Sequence, residues 1–330
     1  MLTKRQNFLE TIRGGNPDRF VKGYEALPRL PVGAPLSKRF PSVQQGGPPV
    51  KNAWGVTYTW PEHVYAGMPD HINKENIVIK DIAHWKDYVT MPETNFPEEE
   101  WQPLAEACAA VDRNEVFCGI TVAPGLFEMC HHTMSMDVAC ANMLLEPEHM
   151  KDLIKYFLEY EMKFAEQLIK YTKLDLMLHH DDWGGQSSTF FSPAMFDDFF
   201  LDAYKQIYSY YKANGVEIVV HHSDSYAATL VPQMIEIGAD VWQGGLKSNN
   251  IPELVKQYGG KMSFMGGINN GIVDVPGWTR EIVRKEVEEL CRACGKLYII
   301  PCMTAGATGG YYGVGSTVDE EIDRMSELMF

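Results

Sequence analysis

From residue 116 onward, short apolar runs alternate with longer stretches in which apolar side chains recur every three or four residues. The apolar runs predict strands at 116–122, 174–178, 217–220, 239–243, 261–266 and 297–301. The amphipathic stretches predict helices near 134–145, 148–171, 193–213, 226–237, 252–258, 278–293 and 317–329. Strands that alternate with helices pair in parallel through right-handed crossovers. The pattern is typical of a (β/α)8 barrel or of an open, doubly wound sheet.

Motifs that would favour the open sheet do not occur in the sequence. It contains neither a GxGxxG at a strand-to-helix turn nor a GxxxxGK[ST], so we favour the barrel. Residues 1 to about 115 are irregular and rich in proline and glycine, which indicates loops or a lid. We therefore expect a single barrel domain over residues 1–330.

Polar side chains stand at the end of one predicted strand after another. They are His179 to Asp182, His221 to Asp224, Gln243, Asn269 with Asn270, and Cys302 with Thr304. In a parallel barrel the carboxyl ends of all strands open on one face, where the connecting loops form the active site. A solvated turn explains any one of these clusters, but their recurrence favours a single active site.

Charge and composition limit the classes of function. A formal net charge of −15 without a basic stripe disfavours nucleic-acid binding, which requires clustered lysine and arginine. No apolar run is long enough to span a membrane, and the N-terminal segment lacks the apolar centre of a secretory signal. Seven irregularly spaced cysteines are typical of a reducing compartment. These features predict a cytoplasmic protein.

Two segments are similar to known proteins. "HDDWGGQSSTFFSPAMFDDFFLDAYKQI" and "VVHHSDSYAATLVPQMIEIGADVWQ" resemble the most recognisable stretches of the uroporphyrinogen decarboxylase superfamily, in its branch of corrinoid-dependent methyltransferases. The opening "TKRQNFLETIRGGNPDRF" and the later "AWGVTYTW" add weaker similarity, so that the resemblance runs nearly end to end. It implies a distorted (β/α)8 barrel.

The resemblance implies one of two activities: methyl transfer to or from a cobamide, or decarboxylation of a porphyrinogen. True decarboxylases carry Met-Arg-Gln-Ala-Gly-Arg-Tyr near the N-terminus to bind substrate carboxylates, and "LPRLPVGAPLSKRF" has no such motif. We therefore expect a methyltransferase that acts on a small methylated compound, most simply an O-methyl one. The decarboxylase-like lyase is the alternative, and a non-catalytic barrel that binds a small molecule is a third hypothesis.

The resemblance also implies zinc, held by a His-x-Cys after one strand and a cysteine after a late strand. Carried over, these ligands fall on His221 and Cys302, and Ser223 replaces the middle cysteine. Serine is a poor zinc ligand, so another group must substitute for it or the site has no zinc. Candidates for the substitution are His222, Asp224, His180 and Asp182. Cys302 is alternatively a small buried apolar residue, and Glu128 or His131 could supply a further ligand.

Catalytic and substrate-binding residues are expected around the same strand ends. Zinc acting as a Lewis acid lowers the basicity of the leaving alkoxide of a methyl ether. The catalytic candidates are Asp182, His180 and Asp181, one of the aspartates being able to protonate the leaving oxygen. Since side chains alternate along a strand, only one of each adjacent pair faces the barrel mouth, and the resemblance favours Asp182 and His221. The substrate-binding candidates are Trp183, Gln186, Tyr226, Gln243 and Met303.

A cobamide is too large for a barrel mouth filled with loops, and the sequence has no Asp-x-His-x-x-Gly motif. We therefore expect the cobamide to arrive on a separate corrinoid protein that docks over the carboxyl ends of the strands. Homodimer formation is left open. The sequence further predicts that five side chains line one cavity, namely His180, Asp182, His221, Gln243 and Cys302.

Overall fold

The strands form a small antiparallel sheet and a parallel sheet of six strands. The computed structural model describes residues 1–28, 30, 35–39, 42–64, 66–304 and 310–330. The small sheet contains β1 (Val50–Lys51), β2 (Thr57–Thr59) and β3 (Met68–Pro69). The parallel sheet contains, in chain and spatial order, β4 (Gly119–Val122), β5 (Leu176–His180), β6 (Ile218–His222), β7 (Val241–Gly245), β8 (Ser263–Ile268) and β9 (Ile299–Met303). The predicted parallel pairing of consecutive strands is confirmed.

Helices precede the parallel sheet, connect its consecutive strands, as the sequence pattern predicted, and follow its last strand. They are α1 (Lys4–Ile12), α2 (Leu36–Arg39), α3 (Glu98–Ala109), α4 (Leu126–Met134), α5 (Met136–Leu145), α6 (Pro147–Tyr171), α7 (Pro193–Phe199), α8 (Leu201–Ala213), α9 (Val231–Glu236), α10 (Ile251–Tyr258), α11 (Asn270–Val273), α12 (Arg280–Cys294) and α13 (Gly315–Met329). Short 3-10 turns lie at Lys74–Asn76, Ile82–Asp87, Ala228–Leu230 and Lys247–Asn249. The helix predicted near 134–145 corresponds to α5, and α4 before it was not predicted. The predicted helix 193–213 is divided at Phe200.

The two faces of the parallel sheet are both buried, one inside the barrel and one under the helices. Inward side chains from five strands join a single apolar cluster, which contains Leu176, Leu178, Ile218, Val220, Val241, Met265, Ile300 and Cys302. Outward side chains pack against the helices in a second, larger cluster, which includes Met177, Val219, Trp242, Phe264 and Ile299. Burial on both sides explains why these strands are apolar throughout rather than alternating.

The N-terminal segment lies between the two outer strands of the sheet, β4 and β9. The amide of Phe117, just before β4, donates to the carbonyl of Ala26 over 2.9 Å. A Cβ on Gly23 would lie 3.6 Å from Cys302 Cβ, in β9. Three residues span at most about 10 Å, whereas the outer strands of a flat six-stranded sheet lie about 24 Å apart. The sheet is therefore strongly curved, as in a distorted (β/α)8 barrel, although within the described residues β4 and β9 do not pair.

The strands β5 to β9 end about two residues later than the apolar runs predicted. The run at 174–178 becomes Leu176–His180, and the run at 217–220 becomes Ile218–His222. The histidines that were expected to follow the strands are thus part of them, and their orientation is fixed by the pleat. Across the described part of the chain, no helix has the length and apolarity needed to cross a bilayer.

Candidate metal centre

Adjacent histidines at the ends of β5 and β6 point to opposite faces of the sheet. In register, His179 pairs with His221 and His180 pairs with His222. His180 and His222 line a cavity inside the barrel. His179 and His221 are fully buried on the other face, where both rings contact that of Tyr208 in α8. This is the alternation that a strand imposes.

Three side chains come together at the carboxyl ends of β5 and β6. One nitrogen each of His180 and His222 and one oxygen of Asp182 all lie within 4.8 Å of one another. His222 Nε2 is 4.0 Å from Asp182 Oδ1, and the two imidazole rings stack with centroids 4.2 Å apart. Two imidazoles and a carboxylate are donors that suit zinc and other divalent transition metals.

Each inward-facing histidine has a hydrogen-bond partner on Nδ1. Glu128 Oε2 lies 3.0 Å from His180 Nδ1, and Gln243 Oε1 contacts His222 Nδ1. Glu128 belongs to the first turn of α4 and is buried. With Nδ1 engaged, Nε2 is the ring atom that remains for a ligand in both residues.

The electrostatics of the cluster are dominated by burial and by three carboxylates. Burial lowers the pKa of His180, but the charge and hydrogen bond of Glu128, with the charges of Asp182 and Asp224, raise it to about 10. Burial, together with the neighbouring His180, lowers the pKa of His222 to about 4. Burial and the charge of Asp182 raise the pKa of Asp224 to about 7. Carboxylates thus crowd a partly dehydrated site, an arrangement that a bound cation would stabilise.

Ser223 and Asp224 follow His222 and have different surroundings. Ser223 Oγ is buried, accepts the Trp183 amide over 3.1 Å and lies 2.7 Å from Ser225 Oγ. It is therefore already satisfied by the protein. The backbone amide of Asp224 donates to Asp182 Oδ1 over 2.9 Å, and the charges of Asp182 and His180 act on the carboxyl group of Asp224.

Asp181, predicted as a catalytic residue, is not in the cavity, and we correct that assignment. Its fully buried carboxylate accepts the backbone amides of Phe127 over 3.1 Å and of Glu128 over 2.8 Å. It also accepts the Trp183 indole N–H over 3.0 Å and the Tyr204 hydroxyl. Burial, then the charge of Glu128, raises the pKa of Asp181 to about 8. Asp181 instead anchors the amino end of α4 to the sheet.

The principal metal ligands inferred from the resemblance, His221 and Cys302, do not join the cluster. His221 lies on the outer face, with Nδ1 hydrogen-bonded to the Tyr208 hydroxyl at 2.9 Å and its ring centroid 3.8 Å from that of Trp183. Cys302 faces the interior but is buried in the apolar cluster, and burial raises the pKa of its thiol to about 12. Both assignments are corrected: the interior histidine is His222, and Cys302 has the surroundings of a small apolar residue. Of the five side chains predicted to line one cavity, only His180 belongs to its described lining, and His221 lies on the opposite face of the sheet.

The five predicted substrate-binding residues are dispersed. Gln243 contacts the cluster through His222. Trp183 is fully buried on the outer face and packs on Phe196, so its assignment is also corrected. Gln186 is exposed on the connection after β5. Tyr226 and Met303 are half-buried, and Met303 packs against the outer apolar cluster.

A cavity of about 430 Å³ extends from the two inward histidines into the barrel. Its described lining is largely apolar and consists of Tyr24, Leu27, Pro28, Leu30, Leu36, Leu104, Gly119, Ile120, Thr121, Leu176, Leu178, His180 and His222. Lysine, arginine and carboxylate side chains are absent from this described lining. The segment "LPRLPVGAPLSKRF" supplies part of the wall but lies partly outside the described residues.

Sequence reasoning missed two sets of residues. Glu128 was considered only as an alternative ligand, and its contact with His180 joins positions 52 residues apart. The only sequence signal was its place in "EMCHHTM", of which His131 stays outside the cluster with a pKa lowered by burial to about 3. Tyr24, Leu27, Leu30 and Leu36 of the cavity wall have no distinguishing pattern within a proline-rich segment.

Comparisons with known proteins agree with this architecture. Residues 51–301 match the family model for uroporphyrinogen decarboxylase (URO-D). Among solved structures, a methyltransferase from Methanosarcina mazei has the same fold, with a TM-score of 0.66, 11% sequence identity, and coverage of 98% of this chain and 99% of that one. At that identity the likeness concerns the fold alone. A search of curated proteins found no match.

Proposed function

The chain belongs to the uroporphyrinogen decarboxylase family, and on that premise we propose that it is a methyltransferase. The proposed reaction moves the methyl group of a small O-methyl compound to a cobamide carried by a corrinoid protein. The proposal rests on one observation: a cluster of potential metal-binding side chains lies at one end of an apolar cavity.

The residues present fit a zinc ion. His180, His222 and Asp182 offer three ligand atoms, and the carboxyl group of Asp224 is near enough for the charge of Asp182 to raise its pKa. In a tetrahedral site with bonds of about 2.0–2.1 Å the ligand atoms are about 3.3–3.4 Å apart, so the most widely separated pair must approach by up to about 1.5 Å from the present limit of 4.8 Å. Three protein ligands leave a coordination position open, as in catalytic zinc sites. When bound, zinc supplies Lewis acidity that makes an alkoxide a better leaving group.

The protein groups bind and orient the substrate. Leu176 and Leu178 form an apolar wall that excludes water and suits a hydrocarbon or aryl group. His180 and His222 border the same cavity, so a methyl ether held against the leucines presents its oxygen to the cluster. The volume of about 430 Å³ is in the usual range for small-molecule sites.

The cavity argues against a porphyrinogen as substrate. A substrate with many carboxylates needs arginine or lysine partners, and the described lining provides none. We retain the decarboxylase-like lyase as the alternative outcome of the test below.

The partner and setting belong to the same proposal. The cluster lies at the carboxyl ends of the strands, so a corrinoid protein would dock over that face to bring its cobalt to the methyl group. All seven cysteines are free, which agrees with the reducing cytoplasm as the proposed location.

The proposal is tested by incubating zinc-loaded protein with cob(I)alamin and aryl or alkyl methyl ethers without oxygen. We expect conversion to methylcobalamin, followed by its absorption spectrum, that requires both protein and methyl ether. The matched ethyl ethers should react far more slowly because displacement at a more hindered carbon is slower. Absence of conversion with every ether, together with release of carbon dioxide from a porphyrinogen, would replace this proposal with the lyase.

A further inference from the structure

A buried carboxylate stands directly behind one of the clustered histidines. We propose that Glu128 is a positioning residue: it holds the hydrogen of His180 on Nδ1 and so directs Nε2 toward the cation. The inference rests on the proposed metal site, and it assigns to Glu128 a role through His180 rather than contact with the ion.

With Glu128 ionised, this hydrogen bond has only one arrangement. Glu128 Oε2 lies 3.0 Å from His180 Nδ1, and Glu128 is 6% exposed. An ionised carboxylate can only accept hydrogen bonds, so Nδ1 must carry the hydrogen whether the ring is charged or neutral. The lone pair that binds a metal is then on Nε2. Metal-binding histidines commonly have such a carboxylate on the other ring nitrogen, and it fixes the ring orientation.

The fold determines where this carboxylate stands. Glu128 is in the first turn of α4, and its own amide donates to Asp181 Oδ1 over 2.8 Å. Its side chain also accepts the amide of Gly125 over 3.3 Å. A Cβ at position 125 would lie 2.6 Å from Asp181 Cγ, so a glycine there allows the helix to approach. Asp181 on the outer face thus holds the helix end whose glutamate reaches the inner face.

His222 has an analogous hydrogen-bond partner, but that partner does not fix the tautomer of the ring. Gln243 Oε1 contacts His222 Nδ1, but an amide can either accept or donate. The chemistry of Gln243 therefore permits either ring tautomer, whereas that of Glu128 permits one. For this reason the proposal concerns Glu128.

The test is the affinity of metal-free protein for Zn²⁺, measured by competition with a chromogenic chelator. Loss of an outer partner of a metal-binding histidine costs about 10- to 100-fold in affinity, and we expect that loss for Glu128→Ala. Glu128→Gln keeps the size and an oxygen acceptor and should lose less. If Glu128→Ala does not fold, Glu128→Asp takes its place. Aspartate keeps the charge but withdraws the acceptor by about 1.5 Å, one C–C bond. Its zinc affinity should therefore be as low as that expected for Glu128→Ala.

The matched control is Glu161→Gln. Glu161 is also a buried glutamate beside a β5 histidine, with Oε1 3.9 Å from His179 Nε2, but on the outer face. The zinc affinity of Glu161→Gln should stay within about threefold of wild type, less than the loss expected on removing a hydrogen-bond partner of a metal-binding histidine. Thermal melting of each metal-free variant establishes that it is folded.

Three results would overturn the proposal. Wild-type affinity in Glu128→Ala would remove any role in metal binding. An equal loss in Glu128→Gln and Glu128→Ala, with a changed visible spectrum of the Co²⁺-substituted protein, would make Glu128 a ligand instead. Failure of wild-type protein to bind Zn²⁺ would refute the metal site itself, which distinguishes failure of the proposed function from failure of this inference.

Discussion

Substitution of two neighbouring histidines separates metal binding from packing. His222→Ala removes a predicted ligand, so zinc affinity should fall by at least about 100-fold, the upper range for loss of an outer partner alone. His221→Ala removes a ring that is fully buried, lies 3.8 Å from the Trp183 centroid and is hydrogen-bonded to Tyr208. Truncation of a large buried side chain and loss of one hydrogen bond together reduce the free energy of unfolding by about 3 kcal/mol.

The two effects need two assays on the same preparations. Chelator competition gives the zinc affinity, and urea unfolding of the metal-free protein gives the free energy of unfolding. His221→Ala should keep zinc affinity within about threefold, less than the effect of removing an outer partner. If His221→Ala fails to fold, His221→Gln provides the same comparison with a smaller change in volume. Loss of zinc binding in the His221 variants, with retention in His222→Ala, would refute our assignment of the strand faces.

Two further substitutions test the anchor of α4 and the cavity. Asp181→Asn should lower the free energy of unfolding by about 2–4 kcal/mol, because an amide cannot accept hydrogen bonds from all the donors that Asp181 contacts. Unchanged urea unfolding would contradict the anchoring role. Leu178→Trp should fill part of the cavity and raise the KM for a methyl ether by about tenfold, equivalent to about 1.4 kcal/mol, while zinc affinity stays constant. An unchanged KM for ethers of several sizes would show that the substrate binds elsewhere.

The strands and their parallel order could be predicted because strands buried on both faces are continuous apolar runs. The residues at which the strands end could not be predicted. Two histidines extend each of β5 and β6. The hydrogen-bond partners of His180, His221 and His222 come from other parts of the chain. A polar side chain in a buried strand is stable once it is hydrogen-bonded. The local sequence pattern does not indicate where those hydrogen-bond partners are.

The choice between the inner and outer face was the main failure. Side-chain alternation correctly required one histidine of each pair to face the interior. It could not identify which one, since both faces of the sheet are apolar. The resemblance selected His221, whereas packing against Tyr208 holds that residue outside and leaves His222 inside.

The role of Asp181 depends on a distant helix, which the sequence places only approximately. The sequence predicted a helix starting near residue 134, and α4 begins at Leu126. Without the amide groups of that first turn, a buried aspartate beside two histidines looks catalytic. Because the helix was predicted to start too late in the chain, the contact between Glu128 and His180 was also missed.

Anomalous diffraction at the zinc edge from crystals of the zinc-loaded protein locates the metal ion itself. We expect one strong peak within bonding distance, about 2.0–2.2 Å, of His180 Nε2, His222 Nε2 and a carboxylate oxygen of Asp182. A peak about 2.3 Å from Cys302 Sγ, the zinc–sulfur distance, or beside His221 on the outer face, would contradict it.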